Sequence, residues 1–415
     1  LHHPRQPLQT MKHFWTLIAL FLSLHSFSQD VINDTFSMEP GYANMVFYNM
    51  SEGVVGTAPL ANWHIAFDVA PMGSSIRING GMGVSLYEYG DADTWDNVDV
   101  SSFTGTALYN DQTSWAAGAF NQNGDGGFDL GWGDYNVVTH VVTGDKVYVL
   151  QNLDGDWFKV QPQSLASGVY TLRSASIDGS NETIVTVNKD DYEGKNFAYY
   201  TLGAAAADDL EPNEAWDFMF TRYMEDLGDN YYYGVAGALM SRATSVQQLD
   251  GLEDPFVDGE ADPDAFVTTT NEVGHDWKDY QFGAGYTLAD DRCYIVNSVS
   301  GEQWRMVFTG FGGTTDGVVE LGKVLQTSTP SSVSENTNEA SKLYPNPAVA
   351  GQPIQFEWEG VDQMTIQIVD ATGRTVQTLQ SPSFRTTLST GLPSGWYRVV
   401  TSSDQDRQSH TLIVH

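Results

Sequence analysis

The side chains suited to coordination chemistry are few. Between a hydrophobic leader and the C-terminal segment the chain has three histidines, His64, His140 and His275. Neutral imidazole is the commonest side-chain metal ligand near neutral pH, and thioether sulfur suits soft metals. His140 follows a run of valines in NVVTHVV, and His275 precedes Trp277 in a loop-like stretch, so these two are the favoured imidazoles. Met72 and Met82 bracket SSIRING, which reads as a projecting hairpin, while Met219 alternates with aromatic residues. In NQNGDGGFD, Asn121, Asn123, Asp125 and Gly126 have the spacing of a calcium turn, with Asp129 nearby. Trp132 stands where an EF-hand places its closing bidentate Glu. The competing reading of all these residues is structural: core filling for the methionines, a glycine-rich solvent loop for the turn.

Catalytic signatures are weaker. GVVELGKV from Gly317 has phosphate-loop spacing, but Val324 replaces the hydroxyl residue that holds magnesium. Neither a helical HExxH nor a GxSxG elbow occurs. The 53 acidic residues offer too many carboxylate pairs for spacing to select a glycosidase pair. The reading is a non-enzyme. Cys293 is the single cysteine, which excludes an intramolecular disulfide and a multi-thiolate metal site, and the run CYIV reads as a buried strand.

The elements that position these residues read as β-structure. Tyr, Phe and Trp are abundant, there are 40 glycines, and helix-forming stretches are scarce. A length of 415 residues implies several cores. A net charge of -34 repels phosphate backbones, so nucleic acid is excluded as a partner. From Met11 a basic start, a short apolar run and small residues before Gln29 mark 11–28 as a secretory signal, too short to span a bilayer. No other segment is apolar enough to span one.

The chain repeats itself. AWDFMFTRY from Ala215 sets Trp216, Phe218 and Phe220 on one face of a strand and Asp217, Met219 and Thr221 on a wet face; NWHIAFDV does the same with Trp63, Ile65, Phe67 and Val69. WGDY at Trp132 returns as WKDY at Trp277, AGA at Ala117 returns at Ala236, and the hairpin VYVLQNLDGDWFKV returns as CYIVNSVSGEQWRM. DGLEDPFVDGEADPD, from Asp250, is a solvated acidic loop. The Ser/Thr/Asn-rich stretch 327–341 is a linker, after which short alternating runs and the turn ATGR at Gly373 predict a small β-sandwich.

LYPNPA, VDATGRTV, LPSGWYRVV and the terminal LIVH, in that order, resemble the C-terminal sorting domain of the type IX secretion system. That resemblance implies export through the outer membrane of a Bacteroidetes-type Gram-negative cell by the type IX machinery. It also implies removal of this domain, and release or attachment to surface lipopolysaccharide. The body resembles the HmuY family of haem-binding surface proteins through NWHIAFDV with IRINGG, AWDFMFTRY, FDLGWGDYNVVTH and the two hairpins. What this implies is an all-β chain of two related antiparallel HmuY-like units, 30–203 and 213–326, followed by an Ig-like sandwich at 342–415. It implies haem as ligand, with His140, His275, Met72 and Met82 as candidate axial donors. The alternative is a non-catalytic adhesive or structural surface module without haem, stabilised by calcium at Asn121, Asn123, Asp125 and Asp129.

Overall fold

The computed structural model describes residues 31–327 and, beyond them, 341–344, 346, 348–358, 364–370, 375–381, 385–388, 392–393, 395–402 and 407–414. The signal segment, residues 328–340 of the linker and Gly373 lie outside the described residues.

The chain is all-β, with antiparallel ladders. Its first strands are β1 Ile32–Ser37, β2 Asn44–Asn49, β3 Gly53–Pro59, β4 Ile65–Asp68, β5 Ile76–Ile78, β6 Ser85–Asp91 and β7 Gly133–Asn136. There follow β8 Val141–Gly144, β9 Lys146–Gln151, β10 Trp157–Ala166, β11 Val169–Ser176, β12 Thr183–Asn188 and β13 Phe197–Tyr200. The rest of the body is β14 Phe218–Asp226, β15 Tyr232–Met240, β16 Ser245–Leu249, β17 Lys278–Gln281, β18 Gly285–Leu288, β19 Cys293–Asn297, β20 Gln303–Phe311 and β21 Val318–Thr327.

Four sheets of the body stack in layers. An outer sheet runs β12-β11-β10, with β9 and β8 sharing the far edge of β10, β6 beyond β9 and β7 beyond β8. Next comes the inner sheet β13-β4-β5, then the inner sheet β15-β14-β2-β3, then the outer sheet β1-β21-β20-β19-β16. Ile65, Phe67, Tyr148, Val160 and Tyr200 fill the space between the first pair. Tyr48, Phe218, Phe220, Trp304 and Leu321 fill the space between the second pair. A third core, with Phe47, Ala66, Trp115, Tyr199, Trp216, Met219 and Tyr223, joins the two inner sheets.

This layering corrects one sequence expectation about the aromatic strands. The period of two is real, but neither face is wet: Phe218 and Phe220 enter one core while Met219 and Tyr223 enter the next. Ile65 and Phe67 against Ala66 repeat that division in β4. The tryptophans stand just before the strands, where Trp63 and Trp216 both turn to the middle core instead of continuing the alternation.

The two halves correspond strand by strand, with an exchange at the front. Ile65, two residues after Trp63, pairs with Tyr200; Phe218, two residues after Trp216, pairs with Tyr48. The order β6-β9-β10-β11-β12 therefore matches β16-β19-β20-β21-β1, and β13 matches β2. A sequence boundary at 203–213 divides the chain but not the sheets, because β1 and β2 are hydrogen-bonded to β21 and β14 of the second half. In space one sandwich is built from residues 60–212 and the other from 31–59 with 213–327.

The same register corrects the AGA pairing. Ala236–Ala238 lies in β15, whereas Ala117–Ala119 lies in the loop where Gly118 packs on the carbonyl of Ile76 in β5; the loop residue beside β15 is Gly274, whose carbonyl accepts from the Ala238 N–H. Identical triplets are too short to report equivalence. SSIRING is no projecting hairpin either, since Ile76–Ile78 is a buried strand of an inner sheet. The hairpins β9–β10 and β19–β20 do match, with Gly155 and Gly301 supplying φ of 83° and 78° at their turns. Lys159 and Arg305 are both buried: Lys159 donates to the Trp95 carbonyl after β6, and Arg305 to the Pro255, Asp258 and Gly259 carbonyls after β16. The acidic loop is thus pinned over its outer sheet, with Phe256 and Phe266 packed on Ile295 and Val307.

The C-terminal unit is also a two-sheet sandwich. Its strands are β22 Ser341–Tyr344, β23 Ile354–Trp358, β24 Met364–Asp370, β25 Thr375–Ser381, β26 Arg385–Leu388, β27 Gly395–Ser402 and β28 Arg407–Val414. Sheets β22-β23-β26 and β25-β24-β27-β28 enclose Phe356, Ile366, Ile368, Val399 and Leu412.

Asp217 ties the second sandwich together. Fully buried, its carboxylate accepts from the backbone N–H of Met50 and Val299 at 2.8 Å each and from the hydroxyls of Thr244 and Ser298 at 3.0 Å each. These donors come from three separate segments, which is why an acid sits on what looked like a wet face. Asp217→Ala leaves all four without an acceptor, and unsatisfied buried donors cost about 1–3 kcal/mol each before relaxation. Urea unfolding of that variant is expected to show a loss of about 3–5 kcal/mol; a loss under about 1 kcal/mol contradicts the staple role.

Candidate functional site

The β7–β8 hairpin carries the imidazole that stands furthest from the cores. Its turn, Asn136 to His140, is held by the Asn136 side chain, which accepts from the N–H of Val138 and Thr139. His140 closes the turn at φ 56°, a left-handed conformation uncommon for a residue with a side chain. Its Nδ1 is 2.6 Å from the Tyr135 hydroxyl, and that contact leaves Nε2 as the nitrogen available to an incoming ligand. Val138 is 83% exposed, and Val137 and Phe128 are also exposed, with the Phe128 ring 6.1 Å from that of Tyr135. The tip is therefore an oriented imidazole on an apolar ledge.

The corresponding hairpin β17–β18 also projects apolar groups, with Phe282 99% exposed and Tyr280 exposed beside Tyr286. It has no histidine at its tip. At its base the Lys278 ammonium donates to the Ala236 and His275 carbonyls between the Trp277 and Phe311 rings, and burial pushes its pKa down to about 7.

The other sequence candidates scatter. His275 is half-buried in the second sandwich, where burial, with Lys278 adding to it, lowers its pKa below the ordinary range. It shares no hydrogen bond or ring contact with His140 among the described residues. Met72 is 93% exposed on a turn, and Met82 packs against the middle core. The structure does not gather these four into one ligand set.

The calcium-turn residues are engaged elsewhere. Asn121 uses its carboxamide on the backbone, accepting from Ile76 and Gly118 and donating to Leu130. Asn123 donates to Glu88. The Asp129 carboxylate accepts the N–H groups of Asp125 and Gly131, which hold its pKa low, and the Asp125 side chain is exposed. Spacing alone had no means of revealing that backbone donors already occupy these oxygens. No group of three or more His, Cys, Asp or Glu placed to hold a metal occurs among the described residues.

Sequence reasoning passed over His64, and the duplication shows what it does. His64 and Asp217 each follow the signature tryptophan. Asp217 accepts the N–H of Met50, two residues after Tyr48; His64 Nδ1 accepts the N–H of Leu202, two residues after Tyr200, at 3.1 Å. One backbone donor is thus met by a carboxylate in one sandwich and by neutral imidazole in the other. Burial lowers the His64 pKa, and nearby Asp154 opposes the shift only in part. The repeat alignment of NWHIAFDV on AWDFMFTRY was the signal that was available for it.

Comparisons with known proteins speak to the C-terminal unit. Residues 342–415 match the family model described as a secretion system C-terminal sorting domain. The chain carries a type IX sorting domain. It is accordingly a type IX cargo, secreted or displayed on the cell surface in Bacteroidetes, and the domain implies contact with the secretion machinery. No helix among the described residues is long and apolar enough to cross a membrane.

No curated protein matches the chain. Among solved structures, a Faecalibacterium prausnitzii beta-glucuronidase is 15% identical over 24% of this chain and 17% of its own, with a TM-score of 0.16. PorZ, a surface component of the type IX system of Porphyromonas gingivalis, is 11% identical over 68% of this chain and 44% of its own, with a TM-score of 0.17. The BSP domain of a biofilm associated protein is 10% identical over 90% of this chain and 82% of its own, with a TM-score of 0.16. This chain spans less than half the length of the first two. Likenesses this weak assign the body to no family.

The His64 contact has a pH signature. A histidine whose folded pKa is depressed adds stability that is present above its unfolded value of 6.5 and is lost as pH falls through the folded value. Buried Glu211 and Asp217, whose pKa values burial raises, act with the opposite sign at lower pH. The comparison that isolates His64 is therefore wild type against His64→Gln, which keeps an acceptor oxygen. From pH 7 to pH 5 the melting temperature of the wild type is expected to fall more steeply than that of the variant; parallel curves contradict the assignment.

Proposed function

We propose that the mature protein is a non-enzymatic ligand-binding protein, released or held at the cell surface through lipopolysaccharide, and that the β7–β8 hairpin captures haem. The observation that carries this reading is His140: an exposed imidazole, oriented through Nδ1 by Tyr135, at the head of an apolar ledge. Haem iron takes an axial imidazole, and its porphyrin faces favour apolar contact. The residues present fit such a group on one side. His140 would hold the iron, while Phe128, Val137 and Val138 would cover part of the ring.

The iron would supply a Lewis-acid centre; the chain's own contribution is orientation. Tyr135 fixes the imidazole rotamer, the hairpin turn holds it clear of the core, and the ledge excludes water from one face. The cleft between the inner sheets is too small to enclose a porphyrin: it is about 50 Å³, far below the roughly 300–1,000 Å³ of sites that enclose a drug-sized ligand. The resemblance of NWHIAFDV, IRINGG and the paired hairpins to haem-binding surface proteins supports the same choice of ligand.

Titrating haemin into the mature protein is expected to shift and sharpen its Soret band. His140→Ala is expected to abolish that shift and His275→Ala to leave it. An unshifted spectrum in both redox states, or a normal spectrum from the His140→Ala protein, removes this reading.

A further inference from the structure

At one end of the first sandwich, where the β11–β12 hairpin turns beside the chain that leaves β13, the inward positions change character. Along β11, Tyr170 and Leu172 belong to the core and are followed by Ser174 and Ser176. Along β12, read toward its start, Val187 and Val185 belong to the core and are followed by Thr183. Alternation places these side chains on one face of the sheet, so the interior turns from apolar to hydroxyl-bearing toward this end. A cleft of about 420 Å³ opens there, lined by Phe158, Ser174, Ser176, Asn181, Thr183 and Leu202, among others. That volume falls within the roughly 300–1,000 Å³ of small-molecule sites.

The duplication explains why this end is open. The hairpins β9–β10 and β19–β20 align so that Phe158 matches Trp304 and Val160 matches Met306. Phe158 and Val160 pair with Ser176 and Ser174, whereas Trp304 and Met306 pair with Leu325 and Lys323. Ser174 pairs in turn with Thr183, and Lys323 with Ile32. Where the second sandwich has Trp, Leu, Lys and Ile, the first therefore has Phe, Ser, Ser and Thr. The Lys323 side chain, 2% exposed, occupies that end of the second sandwich, with its ammonium over the Tyr48 and Trp304 rings. Smaller or more polar side chains leave the same end of the first sandwich unfilled.

The lining selects a ligand class. Ser174 is 3% exposed, and its hydroxyl has no hydrogen-bond partner among the described residues; the same holds for the Ser176 hydroxyl and the Asn181 carboxamide. Glu182 is the one charged residue among those that line the cleft. Arg173 neutralises it through Nε and Nη2, each 2.9 Å from one carboxylate oxygen, which leaves further lone pairs to accept a hydroxyl. Phe158 and Leu202 add an apolar wall, and Leu202 is fixed in place by the bond from its N–H to His64 Nδ1. Groups that both donate and accept, beside an aromatic ring and without an unpaired charge, suit a neutral molecule with hydroxyls on its edge and C–H groups on its face. They suit neither an anion nor a porphyrin.

We propose that this cleft binds a neutral pyranose, with its hydroxyls on Ser174, Ser176, Asn181 and the Glu182 carboxylate and its C–H face on Phe158. The site is separate from the β7–β8 hairpin and does not depend on haem binding. The probes are glucose, galactose and mannose. Calorimetric titration of the full mature chain is expected to give saturable one-to-one heat with at least one of the three. Ser174→Ala removes only the hydroxyl and is expected to weaken the tightest of them about tenfold, as loss of one hydrogen bond to a desolvated partner implies. Ser176→Leu installs the residue of the matched position in the second sandwich and is expected to abolish binding by filling the cleft. Whichever variant keeps the wild-type circular dichroism decides the matter. Absence of saturable heat with all three sugars, wild-type affinity in a folded variant, or a crystal soaked with the bound sugar that shows it outside this cleft overturns the proposal.

Discussion

The body depends on one ladder, the pairing of its first strand with its last. From Ile32 to Ser37, β1 runs antiparallel to Lys323–Val318, which closes a sheet whose other strands all lie in Ser245 to Thr327. A half-buried ion pair fixes the register: Lys323 Nζ is 2.7 Å from Asp34 Oδ2, and the Tyr48 hydroxyl donates to the same oxygen at 2.5 Å. Burial works against the Asp34 charge, and the hydrogen bonds from Lys323 and Tyr48 outweigh it, so its pKa falls. The Lys323 ammonium also lies over the Tyr48 and Trp304 rings. This one charge pair thus touches residues of β1, β2, β20 and β21.

Donation of the leading strands makes the second sandwich depend on the first half of the chain. The first half lends β1 and β2 to the second sandwich, so the second half of the sequence does not by itself contain a complete core. Further ties cross the middle layer: the Trp115 indole donates to the Met240 carbonyl, Thr270 to the Thr113 carbonyl, and the Tyr109 and Tyr232 rings stack at 3.7 Å. Within this frame matched positions have diverged in chemistry while keeping geometry. Asp217 and His64 meet equivalent backbone donors, and the Trp216 indole donates to the Glu211 carboxylate five residues before it, where Ala58 stands five before Trp63. A backbone constraint preserved in both halves, with polar groups free to change around it, lets one scaffold hold a structural staple on one side and a cavity on the other.

Much of this was legible in the chain. Alternation along NWHIAFDV and AWDFMFTRY located two inner strands, glycines at 155 and 301 located two hairpins, and the WGDY and WKDY repeats marked matching buried tryptophans. Periodicity reports that a face is buried, not what buries it, so the second apolar layer and the crossing of residues 31–59 into the other sandwich were hidden. Asn121 and Asp129 misled for a related reason: spacing shows where oxygens recur along a chain, not that backbone N–H groups already occupy them. His140 was visible as a residue type, yet its Tyr135 partner and left-handed turn belong to the fold. Trp63, Asn79 and Tyr223 lie 160 positions apart at the extremes, and only packing brings them to one cavity.

The donation of the leading strands is tested most directly by hydrogen exchange on the mature chain with residues 31–59 removed. Amides of β14 and β19 to β21 are expected to lose protection well before those of β9 to β11, because their sandwich has lost two of its sheet partners and part of its core. Protection of β14 and β21 equal to that in the intact chain contradicts the account.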